Sequence, residues 1–344
     1  MVVSDQKGSS MKTKKVLVIS HSDDGSAKLL IQRLNEIDQP NQLVDLGAFP
    51  LGTSASIDFS SETATIKFAQ NESVFTGDNV KSVWWRRPKG KAHPPTNKTL
   101  QRYIELESEV FISSLFNLFG PKVKWVSDPE KTRLANRKPL QLEIAKQIGF
   151  RIPKTLISND PKLVAAFLET NRDIPIIMKP VGTSFVRLSD DPTDSDRKNL
   201  AIYTKIVDKN LLLRNIERIR NCPVIFQEAA MQEFDIRVTV IGQKVFAVKI
   251  SHSENRGASE TNLDWRHHKL NRVYERYQLS DGLKEKCVEI VNRLGLNFGA
   301  IDMCFSEGKG HIFLEINPQG QWVPSETMAG HPISSTLAKF LAGW

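Results

Sequence analysis

The side chains best placed to do chemistry lie near the C-terminus, in the run GAIDMCFSEGKGHIFLEINPQGQW. Glu315 sits within the apolar stretch 312–316, where an unpaired carboxylate is costly, and Asn317 follows two residues later. On a strand both side chains leave the same face. A four-residue turn at 307–310 would pair Ser306 with His311, and that register sets Asp302 directly opposite Glu315. Facing like charges repel unless a cation lies between them. Three converging oxygens suit Mg²⁺, which keeps several waters and shares substrate phosphates. The alternative is two carboxylates turned to solvent at a sheet edge.

Other candidates lie upstream. Lys179 ends the run Ile174-Pro-Ile-Ile-Met and precedes Pro180, so a buried stem and an anion-seeking ammonium are expected. A phosphate would satisfy it, or the lysine simply reaches solvent from a strand end. Lys138, in Asn136-Arg-Lys-Pro, is unremarkable by itself. Gln227 and Glu228 close an apolar strand and give way to Ala229 and Ala230, a hinge whose backbone could face a flat base. Asp235 and Arg237 share a face of the next strand. An arginine between Ile236 and Val238 calls for a carboxylate or phosphate partner, or forms a plain structural pair with the aspartate. Trp84-Trp85-Arg86-Arg87-Pro88 and Asp264-Trp265-Arg266 each put a guanidinium beside an aromatic plane, which suits anion binding or a packed strand end. No Gly-x-Ser-x-Gly, Walker loop or HExxH occurs, which disfavours triad hydrolases, P-loop enzymes and zincins.

These residues need strands and helices to hold them. Periodicity predicts a βα start, with a strand at 15–20 and a helix at 26–37, then strands near 42–46, 65–68 and 82–85 and a helix at 100–119. Asp128-Pro129 restarts the chain, and a helix runs to Ile148, stopped by Gly149. An extended piece (151–158) and a helix capped by Asp160-Pro161 follow. Strands are expected at 174–179, 201–207 and 224–228, with a helix near 211–219. A hairpin begins at Phe234 and turns at Gly242-Gln243. A polar loop (253–262) precedes the Asp-Trp-Arg triplet. A helix at 281–294 leads to the last strands, 298–305 and 311–316, and a hydrophobic helix at 333–341. No repeat or low-complexity tract appears. The boundaries expected are a disordered segment 1–13, an α/β domain 14–126, a central α+β domain 127–230 and a C-terminal α+β domain 231–344.

Composition limits the choices further. At 344 residues the chain suits two or three α/β layers. Its 40% hydrophobic and 25% charged residues exclude collagen, coiled-coil and disordered classes. No stretch approaches the roughly 20 apolar residues of a membrane span, and the polar first thirteen residues lack a secretory h-region. Three scattered cysteines fit neither a zinc pattern nor a disulfide framework, so a reducing cytoplasm is expected. The net charge of +8 is spread along the chain without a nucleic-acid motif. The lack of such a motif disfavours nucleic acid as partner, and the positive charge leaves open an acidic substrate.

The order Lys138, Lys179, Gln227-Glu228, Asp235-x-Arg237, Asp302, Glu315-x-Asn317 resembles the ATP-grasp superfamily from about residue 82 to the C-terminus. The chain is most similar to the microviridin-type (graspetide) maturases of ribosomal peptides, through WWRRP, EFDIRVTVIG, DWR and LEINPQGQW. That resemblance implies an ATP-grasp fold, α/β and α+β, with a pre-ATP-grasp domain, a central domain and a C-terminal domain. It implies ATP and Mg²⁺ as cofactors. Lys138 and Lys179 would hold the α- and β-phosphates, and Gln227, Glu228, Ala229 and Ala230 the adenine. Arg237 and Arg266 would stabilise the transferring phosphoryl group and the acyl phosphate; Asp302, Glu315 and Asn317 would bind Mg²⁺. The implied partner is a precursor peptide with a leader and an acidic core, and a homodimer is left open. The implied enzyme joins side-chain carboxylates to Ser/Thr hydroxyls or Lys amines, forming macrocycles. Its rivals are a glutathione-synthetase-like ligase of free amino acids or small peptides, and a nucleotide-binding module without turnover. In the loop 180–185 the chain carries one glycine where ATP-grasp enzymes are often richer, and Pro324 follows the Gln321-Trp322 segment.

Overall fold

The computed structural model describes residues 14–47, 49–60, 65–68, 73–88, 97–182, 185–187, 199–201, 204–230, 232–252 and 272–344. The expected disordered segment 1–13 and the polar loop 253–262 lie outside them. The chain forms two compact units, Met1–Pro129 with Ser334–Trp344 and Glu130–Ile333. The last helix joins the first unit, and the second unit spans both sides of residue 230.

The first unit holds β1 (Lys15–Ser20), α1 (Gly25–Glu36), β2 (Asn41–Val44), β3 (Ala55–Asp58), β4 (Thr65–Phe68), β5 (Ser73–Phe75), β6 (Val80–Arg87), α2 (Lys98–Asn117) and β7 (Lys124–Val126). A parallel sheet runs β2-β1-β6-β7. Val16 to Ile19 of β1 are wholly buried, as a parallel strand covered on both faces should be. A second sheet, β3-β4-β5, is antiparallel; β3 and β5 were not expected. The buried Ser82 hydroxyl donates to the Leu341 carbonyl (2.8 Å), tying the C-terminal helix into this unit.

The second unit begins with α3 (Pro129–Ala135) and α4 (Lys138–Ile148). One helix was expected here; the structure has two. Pro139 lacks an N–H and its ring would clash with the Ala135 carbonyl, so the chain breaks at Arg137 and restarts with proline in the first turn. Gly149 (φ 87°) closes α4 in the left-handed conformation, as anticipated. Next come β8 (Thr155–Ser158), α5 (Pro161–Thr170), β9 (Ile176–Pro180), β10 (Phe185–Arg187), β11 (Asn199–Ala201), β12 (Lys205–Ile206), α6 (Lys209–Arg214) and β13 (Val224–Glu228). The strand expected at 201–207 is split between β11 and β12, and the helix expected at 211–219 is α6 plus a 3-10 turn at Ile216–Asn221. Strands β12-β9-β13-β8 form an antiparallel sheet packed on α5 through Ile176, Phe226, Val164 and Leu168.

The chain then builds β14 (Phe234–Ile241), β15 (Lys244–His252), β16 (Arg272–Arg276), α7 (Asp281–Arg293), β17 (Phe298–Ser306), β18 (Gly310–Asn317) and α8 (Val323–Thr327), before α9 (Ile333–Ala342). Five antiparallel strands run β16-β15-β14-β17-β18. Strand β16 was unforeseen, because RVYER carries charge on its ends and no apolar run. One face of this sheet packs against α4 and α7 through Ile236, Val238, Ile301, Met303, Phe313, Ile316, Ile144 and Ile290. The other face carries the candidate residues.

Candidate active site

Strand alternation sorts the two faces. On β14 Ile236, Val238 and Val240 enter the core, so Asp235, Arg237 and Thr239 take the opposite face. On β17 Ile301 and Met303 enter the core, which sends Asp302 to the same side as Arg237. On β18 the buried anchors are Phe313 and Ile316, three apart rather than two. A bulge explains the spacing: Met303 pairs with Phe313 but Asp302 pairs with Glu315, leaving Leu314 extra. At the turn Ser306 faces Gly310, one residue short of the expected pairing with His311. The bulge restores the register, so Asp302 does stand opposite Glu315, and Ala300 opposite Asn317.

Each carboxylate has a cation beside it. Arg237 Nη1 lies 2.5 Å from Asp302 Oδ1, across the β14–β17 ladder. The Arg237 side chain is 8% exposed and that of Asp302 18%. Arg237 Nη2 also donates to the Gln321 carbonyl at 3.2 Å. Gly320 makes that approach possible. A Cβ there would fall 2.7 Å from Arg237 Nη2 and 2.3 Å from Ala300 Cβ. Lys138, the first residue of α4, places Nζ 3.7 Å from Glu315 Oε2 and donates to the Pro180 carbonyl at 3.4 Å. It thereby links the end of β9 to β18.

Lys138 reaches Glu315 because α4 is pinned to β18. One turn along, the buried Gln141 donates to the Ile316 carbonyl (2.8 Å) and accepts from the Ile316 N–H (3.0 Å). The Phe313 N–H donates to the Arg151 carbonyl at 2.9 Å, so this outer side of β18 is covered rather than open. Gln141 was not singled out from the sequence. Its signal was position: three and four residues before the inward Ile144 and Ala145, it is a polar residue on an apolar stripe. Gly320 was likewise missed, although a glycine just beyond Asn317-Pro318 invites the question of what approaches it.

Lys179 is half-buried on β9, opposite Ile225. Its neighbour Ile176 faces α5, so Ile177 and Lys179 occupy the sheet's other face. In the hinge the side chains are already engaged. Gln227 is buried and donates to Thr155 Oγ1 at 2.8 Å. Glu228 accepts from Lys309 Nζ (2.5 Å) and from the Lys154 N–H (3.3 Å). Burial pushes the Glu228 carboxyl up, but Lys309 and the Lys154 N–H together hold it below the ordinary carboxylate range. The Ala229 N–H donates to the Pro175 carbonyl, and Ala230 packs with Cys304, Ile312 and Leu314. Asp235 accepts from Gln232 Nε2 at 3.2 Å. Arg266 and its DWR triplet lie outside the described residues.

Among the described residues no cluster of three His, Cys, Asp or Glu side chains gathers. Of the carboxylates on this face Asp302 and Glu315 stand opposite one another, beside the Asn317 amide, whose Oδ1 accepts from the Gln319 N–H at 3.0 Å. Three hard oxygens at neighbouring strand positions fit Mg²⁺. The paired cations Arg237 and Lys138 balance those carboxylates within the protein. WWRRP behaves differently. Trp84 and Arg86 are buried, the guanidinium 5.6 Å from the Trp84 ring centroid and 3.5 Å from Asp24, so Arg86 packs a strand end. All three cysteines are free; burial pushes the Cys287 thiol up to about 12, which leaves it unreactive.

A family model described as the RimK-like ATP-grasp domain matches residues 135–341, more than half of the chain. The chain belongs to the RimK-like ATP-grasp family. A second model, the MvdD pre-ATP grasp domain, matches residues 15–133 of this ATP-grasp chain. Among solved structures it is similar to the macrocyclase MdnC of Microcystis aeruginosa MRC, bound with the precursor peptide MdnA. The identity is 26%, the TM-score 0.81, and 95% of this chain and 99% of that one are covered. A RiPP-associated ATP-grasp ligase of Chryseobacterium gregarium, in complex with ADP and a leader and core peptide, shares the fold at 22% identity and TM-score 0.82, covering 96% and 97%. The ATP-grasp ligase PsnB, complexed with minimal precursor, Mg and ADP, does so at 21% and 0.73, covering 95% and 97%. Among curated proteins none matches the sequence. Among the described residues no helix of this ATP-grasp chain is long and apolar enough to cross a membrane.

Proposed function

We propose that this chain is an ATP-dependent ligase that cyclises a ribosomally made precursor peptide with an acidic core. The observation that carries the reading is the array Arg237–Asp302–Glu315–Lys138 on one sheet face, with Asn317 beside it. The similarity to a peptide-bound macrocyclase over nearly the whole length of both chains supports the substrate class.

The roles follow from charge and reach. Lys138 and Lys179 hold the α- and β-phosphates of ATP, and the main chain at 227–230 holds the adenine. Asp302, Glu315 and Asn317 hold Mg²⁺, which neutralises phosphate charge. Arg237 and Arg266 face the phosphoryl group in transfer. A substrate carboxylate oxygen attacks the γ-phosphorus and ADP departs. A Ser/Thr hydroxyl or Lys amine then attacks the acyl carbon, and phosphate leaves with the carbonyl electrons restored. The sum is loss of one water from the peptide per ATP split to ADP and phosphate. Catalysis of this kind rests on positioning and charge neutralisation, so no dedicated protein nucleophile is required.

The test is mass spectrometry of a candidate acidic precursor with ATP and Mg²⁺, with ADP counted in parallel. One water lost per ADP released is expected. Rings that open in mild base are esters and those that persist are amides. ADP release driven by free amino acids, with no peptide losing water, replaces this reading with a small-molecule ligase. Nucleotide binding without any ADP release leaves a binding module.

A further inference from the structure

We infer that Lys309, at the tip of the β17–β18 hairpin, is a positioning residue for the nucleotide base, acting through Glu228. The inference rests on the reading above, in which the segment 227–230 holds the adenine. Glu228 ends β13, immediately before Ala229 and Ala230. Its side chain is 12% exposed, and its two carboxylate oxygens are divided between two partners, Lys309 Nζ at 2.5 Å and the Lys154 N–H at 3.3 Å. The Glu228 N–H donates back to the Lys154 carbonyl at 2.9 Å. With both oxygens engaged inside the protein, this carboxylate serves as a clamp.

The clamp joins two sheets. Glu228 belongs to the four-stranded sheet and Lys309 to the turn between two strands of the five-stranded one. The turn is built to present the lysine. Gly308 and Gly310 on either side have φ of 74° and 71°, a conformation that glycine adopts without steric cost. The Lys309 N–H closes the turn on the Ser306 carbonyl at 3.1 Å, and the Lys309 carbonyl accepts from Arg151 Nη1 at 2.5 Å. The same hairpin supplies Cys304 and Ile312, the residues on which Ala230 packs. So the ion pair at the edge of that patch helps set the spacing between the hinge main chain and the apolar patch beneath it, beside the Glu233 N–H bond to the Phe305 carbonyl (2.9 Å). Releasing the lysine loosens the end of β13 against the hairpin and lets the hinge shift relative to Ala230's partners. The phosphate-facing Lys138 and Lys179 are on other elements and are untouched.

The experiment compares binding of Mg²⁺–ATP and of Mg²⁺–tripolyphosphate to the full chain and to Lys309→Ala and Lys309→Arg. Lys309→Ala should weaken ATP about tenfold, as expected for loss of a partly exposed pair that orders a binding segment, and leave tripolyphosphate unchanged. In turnover the KM for ATP should rise by a similar factor at nearly constant kcat. Lys309→Arg should recover most of the affinity. Equal weakening of ATP and tripolyphosphate overturns the inference, since a general structural role would do that. So does unaltered ATP affinity in Lys309→Ala, or a Lys309→Arg variant as weak as the alanine variant. A parent chain that binds no adenine nucleotide overturns this inference together with the function it rests on.

Discussion

Two arginine–aspartate pairs, one in each compact unit, use the same residue types and serve different ends. In the first unit Arg86 reaches Asp24, and the two side chains are 1% and 4% exposed. Asp24 also caps α1 through the Ser26 N–H (2.9 Å) and accepts from the Ser20 hydroxyl (2.8 Å). Its lone pairs are spent on the protein. In the second unit Arg237 meets Asp302 with side chains 8% and 18% exposed, opposite a second carboxylate, Glu315, that is 36% exposed and has its own lysine. There the charges balance one another, and the array grows more exposed from Arg237 to Glu315. A sealed pair specifies a fold; a pair beside a second, more exposed carboxylate is the arrangement that the proposed function requires. Motif spacing alone does not separate the two.

The widest separation should come from Glu315→Gln. Turnover should fall by about 10²–10³-fold or more, the scale seen when one preorganised group that stabilises a transition state is lost, while thermal stability is kept, since relief of repulsion with Asp302 offsets the lost pair with Lys138. Full activity at ordinary Mg²⁺ would remove Glu315 from the site.

Arg86→Ala should do the reverse. Leaving Asp24 buried without its partner should cost about 3–5 kcal/mol, read as a lower denaturant midpoint for the first unit. A variant as stable as the parent would place Arg86 among residues free to bind anions.

Gly320→Ala should reduce turnover by about 10- to 100-fold, the effect expected of displacing a catalytic group by about an ångström. The added methyl meets Arg237 Nη2 and Ala300 Cβ at 2.7 and 2.3 Å. Arg237 must shift, so kcat should fall more than ATP affinity does. Unchanged kcat would mean that the guanidinium position is unimportant.

The smallest effect is an acid limb in the first unit. Burial raises the Asp24 carboxyl, but the Ser20 hydroxyl, Arg86 and the Ser26 N–H outweigh it and hold the group below its ordinary 3.8. A depressed carboxylate stabilises fully above the ordinary value, and the contribution disappears as pH falls from there through the folded value. The stability gap between parent and Asp24→Asn should therefore be wide at neutral pH and close below pH 3.8. A gap independent of pH would contradict the charge-based account of this pair.

The sequence showed much of this, for physical reasons that vary with the element. Strand β1 and the last hairpin were legible because apolar runs bounded by turn residues leave few alternatives. The facing of Asp302 and Glu315 was legible despite a turn misplaced by one residue, because a bulge at Leu314 cancelled the error. Period-two alternation carries no mark of an extra residue, so the bulge itself was invisible. The break between α3 and α4 was written in Pro139. The engagement of Glu228 by Lys309 was not, since 81 residues separate them and only the docking of hairpin on hinge brings them together. The family resemblance named Gln227 and Glu228 as base-binding; the structure shows their side chains bonded to Thr155, Lys309 and Lys154.

The central claim is that this face activates a peptide carboxylate by phosphorylation, and hydroxylamine trapping tests it most directly. Parent enzyme, acidic precursor, ATP and Mg²⁺ are incubated with hydroxylamine, and the peptide is mapped by mass spectrometry. Hydroxamates should form on Glu or Asp side chains of the core, in an ATP-dependent way, and vanish with Glu315→Gln. ADP release without any peptide hydroxamate, or hydroxamates on free amino acids alone, would contradict the account.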